Sequence, residues 1–392
     1  MQARVARSLA EVEATEWNAL PGAATPFLRH EFLHALESSG CATAGTGWDA
    51  RHLLLRTDGG RLVGAMPLYL KSHSWGEFVF DFAWAEAYHR AGLRYYPRLV
   101  SAVPFTPATG PRLLADGGTA RSALLEAARA LGRAAGASSL HVLFPAAPER
   151  EFLESGRLMP RLDCQFHWRN EGYGSFEEFL SGFTAEKRKK LRRERRRVAE
   201  AGIDCRTVTG AELDEATVDV VYRLHAATFA RHGHAPYLNR EFFAQLARRM
   251  PSNLVVELAT LGGKPVACAI FLRGADTLYG RYWGASEQFH SLHFELCYYR
   301  GIEYCIRERL ARFEPGTQGE HKLLRGFLPT PVWSLHEVAD PRFAAAIGDW
   351  LARERRLRSA WLADAARHLP FRRADIPARL DPDVRHRLAA EN

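Results

Sequence analysis

The chain has 392 residues, 47% of them hydrophobic and 25% charged, with a formal net charge of +8. That composition is ordinary for a globular protein, and the length suffices for two cores of typical domain size. No segment reaches the ~18 uninterrupted apolar residues of a spanning helix, since even Glu77 to Ala87 is broken by Asp81 and Glu86.

The start carries Arg4, Arg7, Glu11, Glu13 and Glu16 without the apolar run of a secretory signal, so a mature cytoplasmic protein is expected. The six cysteines are scattered, with no CxxC or CxH cluster. No metal site is expected, and a reducing cytoplasm is the simplest compartment.

In chain order, a helix over Arg29 to Ser38 precedes two apolar runs, Arg51 to Thr57 and Arg61 to Leu70, which meet at Asp58, Gly59 and Gly60. This pattern predicts a β-hairpin. An aromatic loop follows, then a strand from Arg98 to Val103, an alanine-rich helix from Thr119 to Ala135 and a strand from Leu140 to Phe144. The pattern then recurs. Helices over Leu213 to Ala230 and Arg240 to Met250 precede a second hairpin, Leu254 to Thr260 and Lys264 to Leu272, joined through Gly262 and Gly263.

At one fixed offset Leu55, Thr57, Gly59, Gly60 and Val63 match Leu258, Thr260, Gly262, Gly263 and Val266, as an internal duplication would produce. A strand over Thr277 to Gly284, a helix over Leu292 to Arg312 and a strand over Glu320 to Leu324 complete the second series. The helix rests on the spacing of Leu292, Leu296, Tyr299, Ile302, Ile306 and Leu310. Pro341 to His368 reads as a helix, and the proline-rich, charged remainder as a loosely held tail.

The expected division is therefore 1–170, 171–340 and 341–392, with a basic helix over 186–198 in the second part. The expected fold class is α/β of the α+β type. Two halves each form a mixed, mainly antiparallel sheet flanked by helices.

Three stretches carry a family resemblance. The first is KSHSWGEFVFDFAWAEAY with GLRYYPRLVSAVPFTPATGPR, within Leu70 to Arg112; the second is FTAEKRKKLRRERR, Phe183 to Arg196. The third, RYWG, LHFELCYYRGIEYCI and GTQGEHKLLRGFLPTPVWSLH, spans Arg281 to His336. In this order they resemble the FemAB-like family of N-acyltransferases of the peptidoglycan biosynthesis or recognition type. The resemblance implies a tandem GNAT-like fold and transfer of an acyl or aminoacyl group to an amine.

A carrier co-substrate is implied rather than a permanently bound cofactor: acyl-CoA, acyl carrier protein or aminoacyl-tRNA. The acceptor is a small-molecule amine, with a cell-wall precursor as the family's instance. The turn Gly284 to His290 lacks the Gly-x-Gly/Ala phosphate signature of acetyl-CoA-dependent GNAT enzymes. No pattern in the chain fixes an oligomeric state.

Amide-forming transfer needs a proton acceptor and a stabiliser for the developing oxyanion. GTQGEHKLLRG offers Glu320 and His321 as acid and base, Lys322 and Arg325 as cations and Gly319 for close approach. The preceding helix adds His293 and Glu295, and the strand before it ends in Trp283 and Gly284. Cys297 is a weaker nucleophile candidate. In the first half the rigid aromatic segment offers Tyr95, Tyr96, Arg98, Phe105, Thr106 and Arg112 for an extended polar ligand.

From Lys187 to Arg197 every residue except Leu191 and Glu194 is Lys or Arg. Lys187, Arg188, Lys189, Lys190, Arg192 and Arg193 are the expected polyanion contacts, tRNA among them, beyond what a solvated helix needs. Two functions fit these residues. One is a transferase; the other is a non-catalytic GNAT-like protein that recognises a polyanion or wall precursor.

Overall fold

A computed structural model describes residues 1–231, 233–317 and 319–390. The chain forms two compact units, Met1–Asp163 with Val332–Arg358, and Cys164–Pro331 with Ser359–Asn392.

The first unit holds two sheets. Gln2–Ala6, His52–Arg56, Leu62–Met66 and Leu114–Ala115 pair antiparallel in that order. Trp48–Ala50, Tyr69–Lys71, Arg98–Ser101, Ser139–Leu143 and the end of Leu328–Val338 form the other. There Arg98–Ser101 and Ser139–Leu143 run parallel. A parallel pair needs a crossover, supplied by the helix Gly117–Ala134. That helix buries Leu124, Leu125 and Ala128 in one cluster with Leu53, Leu99 and Val142.

In the second unit Ile203–Thr209, Leu254–Leu261, Lys264–Arg273 and Thr277–Ala285 are antiparallel neighbours. Thr277–Ala285 then pairs parallel with Arg312–Glu314. The tight turn of the central hairpin works because Gly262 and Gly263 take φ of 56° and 76°, which side chains with a Cβ resist. Each unit thus runs helix, antiparallel hairpin, strand, helix, parallel strand, the tandem GNAT-like α/β order that the resemblance implies.

Three local expectations change. The strand expected over Glu320 to Leu324 is a 3-10 turn, Glu320–Arg325. Gly316 and Gly319, with φ of 93° and 99°, turn the backbone away from extended geometry, and Arg312–Glu314 takes the place in the sheet. The helix expected to Arg312 ends at Arg307 and contains a π turn over Glu295–Tyr299. The tail is folded as well. Helices Ile376–Arg379 and Pro382–Ala390 follow a buried Phe371 that packs on Phe179 and Phe183 at ring distances of 6.2 and 4.9 Å.

Candidate functional site

The basic helix Ala185–Glu200 forms because its apolar positions are few but correctly spaced. Leu191, Glu194 and Val198 recur every three or four residues and are its buried face. The remaining face is cationic. Lys190, Arg193 and Arg197 line a cleft of about 790 Å³ in the second unit, together with Glu194. The facing wall is the end of Thr277–Ala285, the loop over 287–291 and the start of the following helix, contributing Trp283, Phe289, His290, His293 and Phe294. Arg231, from the end of the helix Glu215–Arg231, is the fourth cation, held by the Ala285 carbonyl at 2.9 Å.

His293 is half-buried in this wall. Its ring lies 5.1 Å from Trp283, 5.3 Å from Tyr298 and 6.3 Å from His321, and no described residue hydrogen-bonds its nitrogens. Desolvation, with His321, Lys322 and Arg325 nearby, lowers its pKa to about 4. The imidazole is neutral at pH 7. His321 is held near 4 by desolvation, Arg325 and Lys322, and shares a 2.9 Å hydrogen bond with the Tyr298 hydroxyl.

Beneath the wall lies a buried ionic brace. Arg325 donates to Glu194 at 2.8 Å, to the Tyr299 hydroxyl at 3.1 Å and to the His321 carbonyl at 2.8 Å. Its guanidinium also sits 3.4 Å from the centroid of Phe294. Lys322 is buried too, donating to the carbonyls of Gly316 and Thr317 at 2.8 and 2.9 Å, with its pKa lowered to about 7 chiefly by desolvation. Glu295, on the π turn, is gripped by Arg195, and desolvation raises its pKa. Burial also drives the Cys297 thiol far above the thiolate range.

Among the residues expected from sequence, Lys190, Arg193, Trp283 and His293 come together in one cleft. Glu320 is exposed on the 3-10 turn and makes no hydrogen bond or ion pair with a described residue. Gly319 supplies the positive φ that starts this turn. Gly284 has a packing role: a Cβ there would lie 2.4 Å from the His225 nitrogen and the Leu224 carbonyl carbon of the neighbouring helix. In the basic run Lys187 and Arg192 meet Glu186 and Glu177, Arg188 reaches the Ser181 carbonyl, and Lys189 is exposed.

The first-unit candidates are turned inward. Arg98, 1% exposed, contacts Glu77 at 2.6 Å, Asp81 at 3.1 Å and Ser74 at 2.8 Å. Tyr95 donates to Asp81 at 2.6 Å, and Tyr96 shares a 2.8 Å bond with Ser74. Arg112 donates to the carbonyls of Ala108, Gly110 and Pro111, Thr106 to that of Pro104, and Phe105 packs on Trp48. These contacts make the segment rigid from within.

Sequence reasoning did not single out Arg197, Arg231, His290, Phe289 or Phe294 as a set. Arg197 stood in the basic run, whereas the others are polar or aromatic residues whose convergence only folding creates. Among the described residues no His, Cys, Asp and Glu group is arranged to hold a metal ion, and no helix is long and apolar enough to cross a membrane.

Comparison with known proteins fits this architecture. The chain covers 89% of its length on the crystal structure of FemX and 100% of that chain, at 12% identity and a TM-score of 0.50. A second similar fold is the C-terminal domain of a putative lysylphosphatidylglycerol synthetase from Agrobacterium fabrum, at 11% identity, 88% and 97% coverage and a TM-score of 0.53. A conserved protein of unknown function from Bacteroides thetaiotaomicron matches at 10% identity, 86% and 100% coverage and a TM-score of 0.51. No curated protein matches the chain in sequence. The FemAB-like model, described as peptidoglycan biosynthesis/recognition, matches residues 8–373. Over that span, nearly its full length, the chain belongs to the FemAB-like family of peptidoglycan biosynthesis/recognition proteins.

Proposed function

We propose that this protein transfers an acyl or aminoacyl group from a phosphate-bearing carrier to an amine of a peptidoglycan precursor. The observation that carries the reading is the cleft of the second unit, where Lys190, Arg193, Arg197 and Arg231 face Trp283, Phe289 and Phe294. Cations suit phosphates, and the rings offer stacking faces for a nucleotide base. Aminoacyl-tRNA and acyl-CoA both present that chemistry; acyl carrier protein presents a phosphate without a base. The family's peptidoglycan association supports the acceptor class.

In the reaction, the acceptor amine attacks the carbonyl carbon of the carrier ester or thioester, a C–N bond forms, and the carrier oxygen or sulfur leaves. The ammonium formed on attack must lose a proton. A neutral imidazole without a hydrogen-bond partner among the described residues suits that acceptor role, and His293 is such a group. Phosphates entering the cleft oppose the effect of the surrounding cations and raise the basicity of His293 toward its ordinary range.

The test incubates the full-length protein with aminoacyl-tRNA, acyl-CoA and acyl carrier protein donors and a peptidoglycan precursor amine, with mass spectrometry of the acceptor. Neutralising Lys190, Arg193, Arg197 and Arg231 together is expected to weaken donor binding and flatten its salt dependence. Donor binding without product from any carrier would instead favour a recognition protein built on the same scaffold.

A further inference from the structure

The segment over 72–82 in the first unit inverts the usual arrangement of a surface loop. Its two carboxylates point inward: Glu77 is 3% and Asp81 2% exposed, both bound to Arg98, with Lys71 3.8 Å from Glu77. Three of its aromatic rings are exposed, with Phe78 half-buried. Trp75 is 68%, Phe80 51% and Phe82 40% exposed. They form one cluster, with Trp75 and Phe82 centroids 5.3 Å apart and Phe80 and Phe82 6.2 Å apart.

The rings also have cationic neighbours. Arg161 donates to the Phe80 carbonyl at 2.8 Å and to both Glu354 oxygens at 2.9 and 3.0 Å, tying the loop to the helix Pro341–Ala366. Leu357 and Arg358 follow Glu354 by three and four residues and therefore share its face. Leu357 is 72% exposed, and Arg353, Arg356 and Arg358 are exposed around it. Arg353 and Arg356 make no ion pair with a described residue, and Arg358 faces Asp163 only at 3.9 Å. Asp163 and Asp349 are exposed acids on these elements, and Glu86, four residues beyond Phe82, is exposed and paired with Arg90 at 3.5 Å.

We propose that this face docks on an anionic lipid bilayer, with Trp75, Phe80, Phe82 and Leu357 entering the headgroup boundary and Arg353, Arg356 and Arg358 meeting lipid phosphates. Charge complementarity selects this occupant. The loop's own acids, which an anionic surface would repel, are withdrawn and neutralised by Arg98 and Lys71, while Arg353 and Arg356 pair with no described carboxylate and Arg358 only loosely with Asp163. The rings pack on one another rather than standing apart as open platforms, which suits insertion as a wedge better than stacking on nucleic-acid bases. The inference concerns the first unit alone and does not depend on the cleft of the second.

Co-sedimentation of the full-length protein with vesicles of phosphatidylcholine, and of phosphatidylcholine mixed with phosphatidylglycerol, tests it. Binding is expected only to the mixed vesicles and is expected to weaken with added salt. The variant W75S/F80S/F82S should lose on the order of tenfold or more in partitioning. R353Q/R356Q/R358Q should lose on the order of tenfold to a hundredfold. All six positions are exposed, and unchanged circular dichroism and melting would certify the fold.

Equal binding by wild type and both variants overturns the proposal, as does failure of the wild type to bind mixed vesicles. Two further results overturn it in favour of another occupant. One is concentration-dependent self-association abolished by W75S/F80S/F82S without vesicle binding. The other is single-stranded RNA binding lost in that variant without vesicle binding.

Discussion

Arg325 and Glu194, 131 residues apart in sequence, meet at 2.8 Å while the same guanidinium lies 3.4 Å from the ring centroid of Phe294. The pair fastens the basic helix to the 3-10 turn below one wall of the cleft. Both side chains are almost fully buried, at 3% and 8% exposure.

Removing one partner strands the other charge away from water. Glu194→Ala is therefore expected to cost about 3–5 kcal/mol, and replacing both residues with apolar ones of similar size should recover most of it. Urea unfolding of the two single variants and the double variant measures this. A loss under about 1 kcal/mol in Glu194→Ala would show that the brace is not structural.

His293→Gln keeps a polar side chain in the wall but removes the proton acceptor. Turnover is expected to fall about 10²- to 10³-fold with donor affinity nearly unchanged. The imidazole in free protein should titrate near 4, and its midpoint should rise when a phosphate-bearing donor fills the cleft. Histidine NMR titration with and without donor reads this directly. Unchanged turnover in the variant removes His293 from the reaction.

Gly284→Ala addresses packing rather than charge. The new Cβ would meet backbone atoms of the helix Glu215–Arg231 at 2.4 Å, and backbone cannot rotate aside as a side chain does. A loss of about 3 kcal/mol is expected. The same shift would displace Arg231 at that helix's end, so weaker anion binding should accompany the lower melting temperature. A variant that melts like wild type would show that the helix has room to move.

His225 is 1% exposed among Phe229, Phe243 and Tyr282, and neither ring nitrogen hydrogen-bonds a described residue. Burial lowers its pKa from 6.5 to about 4. The folded value lies below the unfolded one, so the neutral ring's full contribution is present above pH 6.5 and is lost as pH falls toward 4. By pH 5 the protein should have lost about 2 kcal/mol from this residue alone. His225→Leu should be flatter between pH 7 and 5, as thermal melts at the two values would show. Equal acid sensitivity in both proteins would contradict the assignment.

Patterns with a short physical range were legible in the sequence. The second hairpin, with its Gly262-Gly263 turn, follows from apolar strands and the φ values that only glycine adopts easily. The helix beginning at Leu292 follows from its buried spacing. The basic helix was visible as a run, but which of its cations face a cleft was not. Lys190 and Arg193 differ from Lys187 and Arg192 only in where the helix phase directs them and which carboxylates fold beside them.

Elsewhere local pattern and tertiary context disagreed. The element order predicts a strand over Glu320 to Leu324, yet two positive-φ glycines and the anchoring of Lys322 on the Gly316 and Thr317 carbonyls wind it into a turn. The charged, proline-containing C-terminal segment looked loose, yet Phe371, Ile376, Leu380 and Val384 are buried.

By itself the sequence determined the two hairpins, the main helices, the density of positive charge and the family, because turn conformation, hydrophobic spacing and motif order are properties of neighbouring residues. Only the tertiary structure decided which histidine is neutral, which arginines are spent on internal carboxylates and which acids turn inward. Desolvation and Coulomb interactions depend on distances between residues far apart along the chain, and folding alone sets those distances.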